Sequence, residues 1–298
     1  MRMRHPQFSI KWRLVPFECV AEIAREIASR LREGSLDAAL YRDYSASITC
    51  QPPEKMPEPK SVAVVAVRQP SLTVRFRRGA KEFAVTVPPT YYDAAEVDSL
   101  AARELKRAFG DSHTFIRAYL PFKLLACRAG LAYYGRNNIA YVPGWGSFLR
   151  LTAFYADVGA RDYTWQEPKV LPECEGCRLC IDACPAKVMS GTGFMANAEH
   201  CLTYHNEKQA DAPFPDWVKP SWHNALVGCM ICQRVCPANR GVIGWTEDRG
   251  EFSEEETEYL LGGDFSDRAE AERVEEKLRA VGLDLSVFPR NLKALGRG

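Results

Sequence analysis

The sequence predicts an α+β protein in three consecutive parts. These are a mixed helix-and-strand domain over residues 1–165, a cysteine-dense unit over 166–245, and a short acidic helical tail over 246–298. Three observations predict this order. Through the first 165 residues, apolar side chains recur at helical spacing in some stretches and in continuous or alternating runs in others. From Pro168 cysteine becomes dense, and Gly and Pro cut the chain into short pieces. After Trp245 acidic residues dominate a helical pattern.

The first ten residues carry Arg2, Arg4 and His5 with no apolar stretch behind them, unlike a secretory signal. Val20, Ile23, Ala24, Ile27 and Leu31 recur at helical spacing, which predicts a helix from Glu18 that Gly34 stops. A connector containing Pro52, Pro53, Pro57 and Pro59 follows. Ser61 to Val67 (SVAVVAV) is a continuous apolar run, as in a strand buried on both faces. Leu72–Phe76 and Glu82–Val87 read as a hairpin turning at Arg78-Gly79-Ala80. Asp93 is placed to cap a helix reaching Phe109, with Glu96 three residues on and Gly110 at its end. A third helix is expected from about His113 to Ala129, kinked by Pro121. Leu149–Tyr155 reads as a further strand.

A chain of 298 residues, 46% hydrophobic and 26% charged, can bury one sizeable core and a smaller unit. It has no apolar run long enough to span a bilayer, and no membrane partner is expected. The net charge of +1 is unevenly spread: Lys+Arg against Asp+Glu is 24 to 16 over 1–165, 7 to 8 over 166–245 and 8 to 14 over 246–298. The N-terminal surplus suits an anionic cofactor or substrate as well as a plain solvated face. The acidic tail is unsuited to gripping nucleic acid.

Eight of the eleven cysteines fall into metal-ligand spacing. Residues 174–185 read CEGCRLCIDACP, placing Cys174, Cys177, Cys180 and Cys184 in the C-x2-C-x2-C-x3-C-P run of bacterial ferredoxins. Residues 229–237 read CMICQRVCP, with Cys229, Cys232 and Cys236, and Cys201 lies between the two runs. Thiolates two residues apart wrap one corner of a cubane, and the fourth cysteine, expected to open a short helix, reaches the neighbouring cluster. One [4Fe–4S] cluster is thereby assigned to Cys174, Cys177, Cys180 and Cys236, and a second to Cys184, Cys201, Cys229 and Cys232. Two zinc sites are the alternative, but zinc ribbons do not call for C-x2-C-x2-C-x3-C-P. Cys19, Cys50 and Cys127 fall outside any such spacing and read as ordinary buried thiols. Thiolates at metal spacing with no export signal point to the cytoplasm.

These segments resemble the epoxyqueuosine reductase family, cobalamin-dependent iron–sulfur enzymes of tRNA modification, and more distantly the reductive dehalogenases. The resemblance covers roughly residues 113–245. It rests on Ala129-Gly130-Leu131, Gly135-Arg136-Asn137-Asn138, Gly146-Ser147-Phe148, the eight cysteines, Cys201-Leu202-Thr203-Tyr204 and the stretch Gly228 to Asn239. It implies a nitroreductase-like α/β domain of cobalamin type at the N-terminus, with the corrin held beside one cluster. Ala129, Gly130, Leu131, Gly135, Arg136, Asn137, Gly146 and Ser147 are the implied cofactor-binding positions. The clusters would then pass electrons from a donor of the reduced ferredoxin or flavodoxin type to a cobalamin that reduces a small molecule or a modified nucleoside. The alternative is an electron-transfer protein without its own catalytic corrinoid.

Two departures count against tRNA as a partner. The family's acid, thirteen residues before Ala-Gly-Leu, is here Ile116, and where the family commonly has a C-terminal helical-repeat domain there is an acidic segment of about fifty residues. Tyr91, Tyr92, Tyr119, Tyr133 and Tyr134 are candidate proton donors, since a phenol beside a cation can serve as an acid. Tyr119 with Lys123 and Arg136 is the expected catalytic group. The chain has no Asp-x-His-x-x-Gly motif and no P-loop, and Gly191-Thr192-Gly193 with Ala196 reads as a turn between cysteines.

Overall fold

A computed structural model gives the structure of the chain and describes residues 9–36, 38–45, 50–189 and 197–296. The glycine turn at 191–193 and the N-terminal Arg2, Arg4 and His5 lie outside the described residues. The N-terminal part opens with β1 (Ile10–Pro16), α1 (Cys19–Arg32), α2 (Ala38–Ser45), β2 (Ser61–Arg68), β3 (Ser71–Arg78) and β4 (Lys81–Val87). It continues through α3 (Ala94–Phe109), β5 (Phe115–Ala118), α4 (Phe122–Arg128), the short pair β6 (Tyr133–Tyr134) and β7 (Ala140–Tyr141), and β8 (Leu149–Ala156).

The central sheet runs β1-β2-β8-β5, antiparallel throughout. β2 lacks polar alternation because both its faces are covered. Ala63, Val65 and Val67 point into one core with α3, and Val62, Val64 and Ala66 into a second with α1 and α4. All six are 0% exposed. Asp93 caps α3 by accepting from the Ala95 and Glu96 amides, and Gly110 closes it at φ 105°. The hairpin β3–β4 forms at the expected turn.

The helix expected over His113–Ala129 is half strand. Phe115–Ala118 pairs with β8, and only Phe122–Arg128 is helical. Pro121 stands at the cap of α4, where its missing N–H costs nothing, so it starts that helix instead of bending a longer one.

In the cysteine-rich part, helices are one turn long: α5 (Leu179–Ala183), α6 (Leu202–Asn206) and α7 (Ile231–Arg234). Its own apolar packing is sparse. Ile181, Val188 and Met189 form one small cluster, and Met230 and Val242 join Phe148 in another.

The described part of the tail, up to residue 296, carries three helices, α8 (Glu254–Gly262), α9 (Arg268–Arg279) and α10 (Arg290–Leu295). It differs from a plain helical tail in opening with a strand, β9 (Thr246–Phe252), which pairs in parallel with β3 and extends the sheet β4-β3-β9. The sequence TEDRGEF conceals it, because only Phe252 is buried and the pairing is carried by the backbone. Leu260, Val274, Leu278, Val281 and Leu292 enter the same core as β2, β3 and α3. Buried Glu256 joins Ser253 in a capping box and binds Arg273 and Lys277 at 2.8 and 2.7 Å. At the far end, Arg290 donates to the carbonyls of His205, Lys208, Gln209 and Ala212, while Asn291 donates to those of Asn206 and Leu226. Among the described residues no helix is long and apolar enough to cross a membrane.

Because Leu278 is wholly buried in the shared core, Leu278→Ala is expected to lower the unfolding free energy by about 2–5 kcal/mol. Denaturant melts of the two proteins measure this, and a loss below about 0.5 kcal/mol, the size of an ordinary surface change, would mean the C-terminal helices are peripheral.

Candidate metal centre and the cleft beside it

Cys174, Cys177, Cys180 and Cys236 line one pocket, with Gly135, Arg136, Asn137 and Tyr141 completing its wall. The fourth cysteine of the first run is absent from that lining. Cys184 instead lies within electrostatic reach of Cys201 and Cys229, and Cys232 within reach of those same two. Cys232 also lies within reach of Cys180 of the first run.

The local geometry explains the exchange. In each run a short helix carries the next-to-last cysteine, Cys180 or Cys232, and the last cysteine follows it; Cys236 also opens the short 3-10 helix Pro237–Asn239, as expected, whereas Cys184 only closes its helix. Pro185 and Pro237 then disfavour helical ψ at the preceding residue. Cys184 and Cys236 accordingly adopt ψ 115° and 122°, which turns each out of its own run.

Burial pushes up the thiols of Cys174, Cys180, Cys201, Cys229 and Cys232. Donors temper this: the Arg136 amide serves Cys174, and Asn224 Nδ2 lies 3.2 Å from Cys229 Sγ. Among the described residues no three His, Cys, Asp or Glu side chains converge tightly enough for one metal ion. The pocket lined by Cys174, Cys177, Cys180 and Cys236 suits a group with several metal corners better than a single ion. Cys19 and Cys127 are buried thiols apart from both sets, pushed up to about 11 and about 12, and half-buried Cys50 is also raised.

The other expected site residues fall in different places. Ala129 and Leu131 pack in the second core. Gly135 and Gly146 give room to their own chain: a Cβ at either would stand 2.4 Å from Asn137 Oδ1 or Asn239 Oδ1, respectively. Ser147 is a joint between the parts of the molecule. Its amide donates to Asn239 Oδ1 at 2.8 Å and its hydroxyl to Gln233 Oε1 at 2.8 Å.

Arg136 lines the first cysteine set, Lys123 stands near Cys201 of the second, and Tyr119 lies under the Arg117 guanidinium. No contact joins these three among the described interactions. Lys123 is exposed to solvent along its side chain, yet burial pushes its ammonium down, and Cys201, Cys127 and Glu207 all act on it. Glu207 in turn accepts from the Tyr91 hydroxyl.

Of the remaining tyrosines, Tyr92 is buried against Arg249 and pushed up to about 12 by burial, and Tyr134 is pushed higher still by the same cause. Both are thereby weakened as acids. Ile116 pairs with Tyr155 and packs on the second core, on the opposite sheet face from Arg117, and cannot serve as a proton donor. Tyr141, Asn224 and Glu207 escape the sequence reading because each meets a cysteine or lysine only through the fold.

The family model described as the 4Fe-4S double cluster binding domain matches residues 173–239. The epoxyqueuosine reductase of Lactococcus garvieae is 31% identical over 118 residues, 40% of this chain and 32% of that protein. That of Burkholderia pseudomallei is 27% identical over 238 residues, 76% of this chain and 53% of that protein. The chain thus spans about a third to a half of the length of these relatives. A solved epoxyqueuosine reductase from Bacillus subtilis, with its catalytic aspartate loop swung out of the active site, superposes with TM-score 0.62 at 18% identity, covering 96% of this chain and 76% of that one. Another, with an epoxyqueuosine-modified tRNA stem loop, gives 0.52 at 18% identity over 78% and 62%. The chain carries a 4Fe-4S double cluster binding domain, and in sequence around it and in overall fold it is similar to the epoxyqueuosine reductases.

Proposed function

We propose that this chain is an iron–sulfur reductase that passes electrons through two [4Fe–4S] clusters to a bound cobalamin. One observation carries the reading: Cys174, Cys177 and Cys180 share a pocket with Cys236 of the second run, inside a segment that matches a 4Fe-4S double cluster binding domain. Cys174, Cys177, Cys180 and Cys236 hold the first cluster, and Cys184, Cys201, Cys229 and Cys232 the second. Leu179 and Val235, 51% and 38% exposed beside the first set, suit the approach of a ferredoxin or flavodoxin donor there.

Lys123, exposed beside Cys201, leaves the surface by the second set open to a large cofactor. When bound, cobalamin would supply the reducing metal centre. The chain's own groups would do the rest. The hairpin Tyr133–Tyr141 walls the first set. Lys123, held by the Asn138 carbonyl at 3.0 Å, fixes that hairpin to α4 and sets a cation against Cys201. Tyr119, 54% exposed beneath Arg117, is the phenol free to give a proton to a reduced substrate.

Ile116 removes the acid that epoxide opening calls for, and the C-terminal segment is built into the core and bears more acid than base. We therefore assign the chain a small-molecule or modified-nucleoside substrate other than epoxyqueuosine in tRNA.

Anaerobically prepared protein is expected to hold close to eight iron and eight sulfide, following from two four-iron clusters. Cys201→Ala is expected to halve both while leaving one cluster spectrum intact. Stoichiometric zinc without iron would refute the cluster assignment. The same preparation incubated with hydroxocobalamin should retain corrinoid absorption through gel filtration, and Lys123→Trp should lose it at unchanged iron. Protein that keeps its iron but never retains corrinoid is an electron carrier instead. In cells lacking their own epoxyqueuosine reductase, the gene should leave queuosine absent from tRNA, and full restoration would overturn the substrate assignment.

A further inference from the structure

Arg150 stands near the start of β8, in register with Val67 of β2. β5 pairs with β8 only from Ala153 onward, so Arg150 lies beyond the end of that edge strand. Its side chain leaves the same sheet face as Thr152, two residues on, whose hydroxyl donates to Asp98 of α3 at 2.6 Å. A guanidinium has five hydrogens to give and keeps its charge. One of these goes from Nη1 to the Thr90 carbonyl. The Nε hydrogen is enclosed by protein and meets no acceptor. Among the described residues no carboxylate lies within ion-pair distance of Arg150.

The acids around it are already engaged. Asp98 accepts from Arg117 Nε at 2.6 Å as well as from Thr152. Asp93 accepts from the Ala95 and Glu96 amides at the head of α3. Tyr91, next to Thr90, gives its hydroxyl to Glu207. Arg117, by contrast, is well supplied: it has Asp98, the carbonyls of Ala118 and Ala153, and the Phe122 ring beneath it. Burial pushes the Arg150 guanidinium down; Asp98 offsets part of this and Arg117 adds to it. A half-buried charge with no opposite charge is costly unless something brought from outside supplies one. Arg117 also lies over Tyr119, so Arg150 and the phenol assigned to proton donation share one arginine neighbour.

We propose that Arg150 binds an oxyanion, a carboxylate or phosphate carried by the substrate or by the nucleotide loop of the corrinoid. The N–H groups of a guanidinium match two oxygens of either group. The bound anion supplies the charge that no side chain supplies, and the Thr90 carbonyl holds Nη1 in place meanwhile. The inference rests on the reductase reading for the ligand's role, and its test separates the two.

Holo-protein, Arg150→Met and Arg150→Lys are melted in chloride and in inorganic phosphate at equal ionic strength, with iron and sulfide assayed alongside. Phosphate is expected to raise the wild-type Tm by mass action, to raise that of Arg150→Lys less, and to leave Arg150→Met unmoved. In chloride Arg150→Met should melt no lower than the wild type, because it sheds an uncompensated charge and the exposed Thr90 turns to water. Calorimetric titration with phosphate should show binding about tenfold weaker or more in Arg150→Met, the loss of one hydrogen bond to a charged group. Gel filtration with hydroxocobalamin and with cobinamide, the same ring without its nucleotide phosphate, names the source. A loss in Arg150→Met confined to hydroxocobalamin places the anion on the cofactor, and unchanged retention of both places it on the substrate. An equal phosphate response in wild type and Arg150→Met would overturn the inference. So would an Arg150→Met that melts well below the wild type in chloride, since the guanidinium would then be a structural prop. Wild-type protein that answers to phosphate through Arg150 yet holds no iron leaves the anion site standing and defeats the reductase reading instead.

Discussion

Burial raises the pKa of five of the eight cluster-spaced thiols, while metal ligation needs every one of them as a thiolate. The conflict is resolved only by bound metal, whose charge takes over from the lost solvation. The surrounding polypeptide cannot hold its shape by apolar packing, since Ile181, Val188 and Met189 form one of its clusters and Met230 and Val242 most of another. Metal binding at these buried thiols would release their protons. A segment this poor in core is stable when stapled, and here the staples are thiolates.

What metal does from inside, the rest of the chain does from outside. Ser147, Gln233 and Asn239 join the sheet domain to the second cysteine run through buried amide and hydroxyl bonds. Leu226 and Val227 leave the cysteine-rich part to enter the first core, where Leu226 donates its amide to the Thr86 carbonyl. Arg290 gathers four carbonyls between residues 205 and 212, just beyond Cys201. The His205 carbonyl lies near the end of α6 and the other three in the loop that follows it, so Arg290 ties the chain just beyond Cys201 to the C-terminal helices.

The parts of this arrangement differ in how far they can be read from the residues alone. SVAVVAV announces a strand buried on both faces, and Asp93 and Gly110 mark the ends of a helix by their capping chemistry. The cysteine spacing and the prolines that follow announce the 4Fe-4S double cluster binding domain. Each of these signals is local. β5 is hidden because Phe-Ile-Arg-Ala becomes a strand by pairing with β8, and β9 because its partner supplies backbone and not an apolar face. The expected site residues at Gly135 and Gly146 stand at special positions, yet what needs the space is a neighbouring side chain of the same protein. Tyr141 carries no motif at all. Its meaning comes from a hairpin that delivers it to a pocket it shares with Cys236, 95 positions later in the chain.

The parallel pairing of β9 with β3 has a consequence for how the molecule comes into being. Ser71 and Thr246 are register partners, so the whole cysteine-rich region is a loop strung between two adjacent strands of one sheet. Closing a loop of that length costs little more entropy than closing a shorter one, because the cost grows only with the logarithm of its length. It does impose a schedule. On the ribosome, β3 and β4 emerge with one sheet edge lacking its partner, and the core beneath them waits for Leu260, Val274 and Leu278. All eight cysteines are translated before the strand that completes this sheet, so the nascent chain offers its thiols to the cell while the scaffold meant to enclose them is still unfinished.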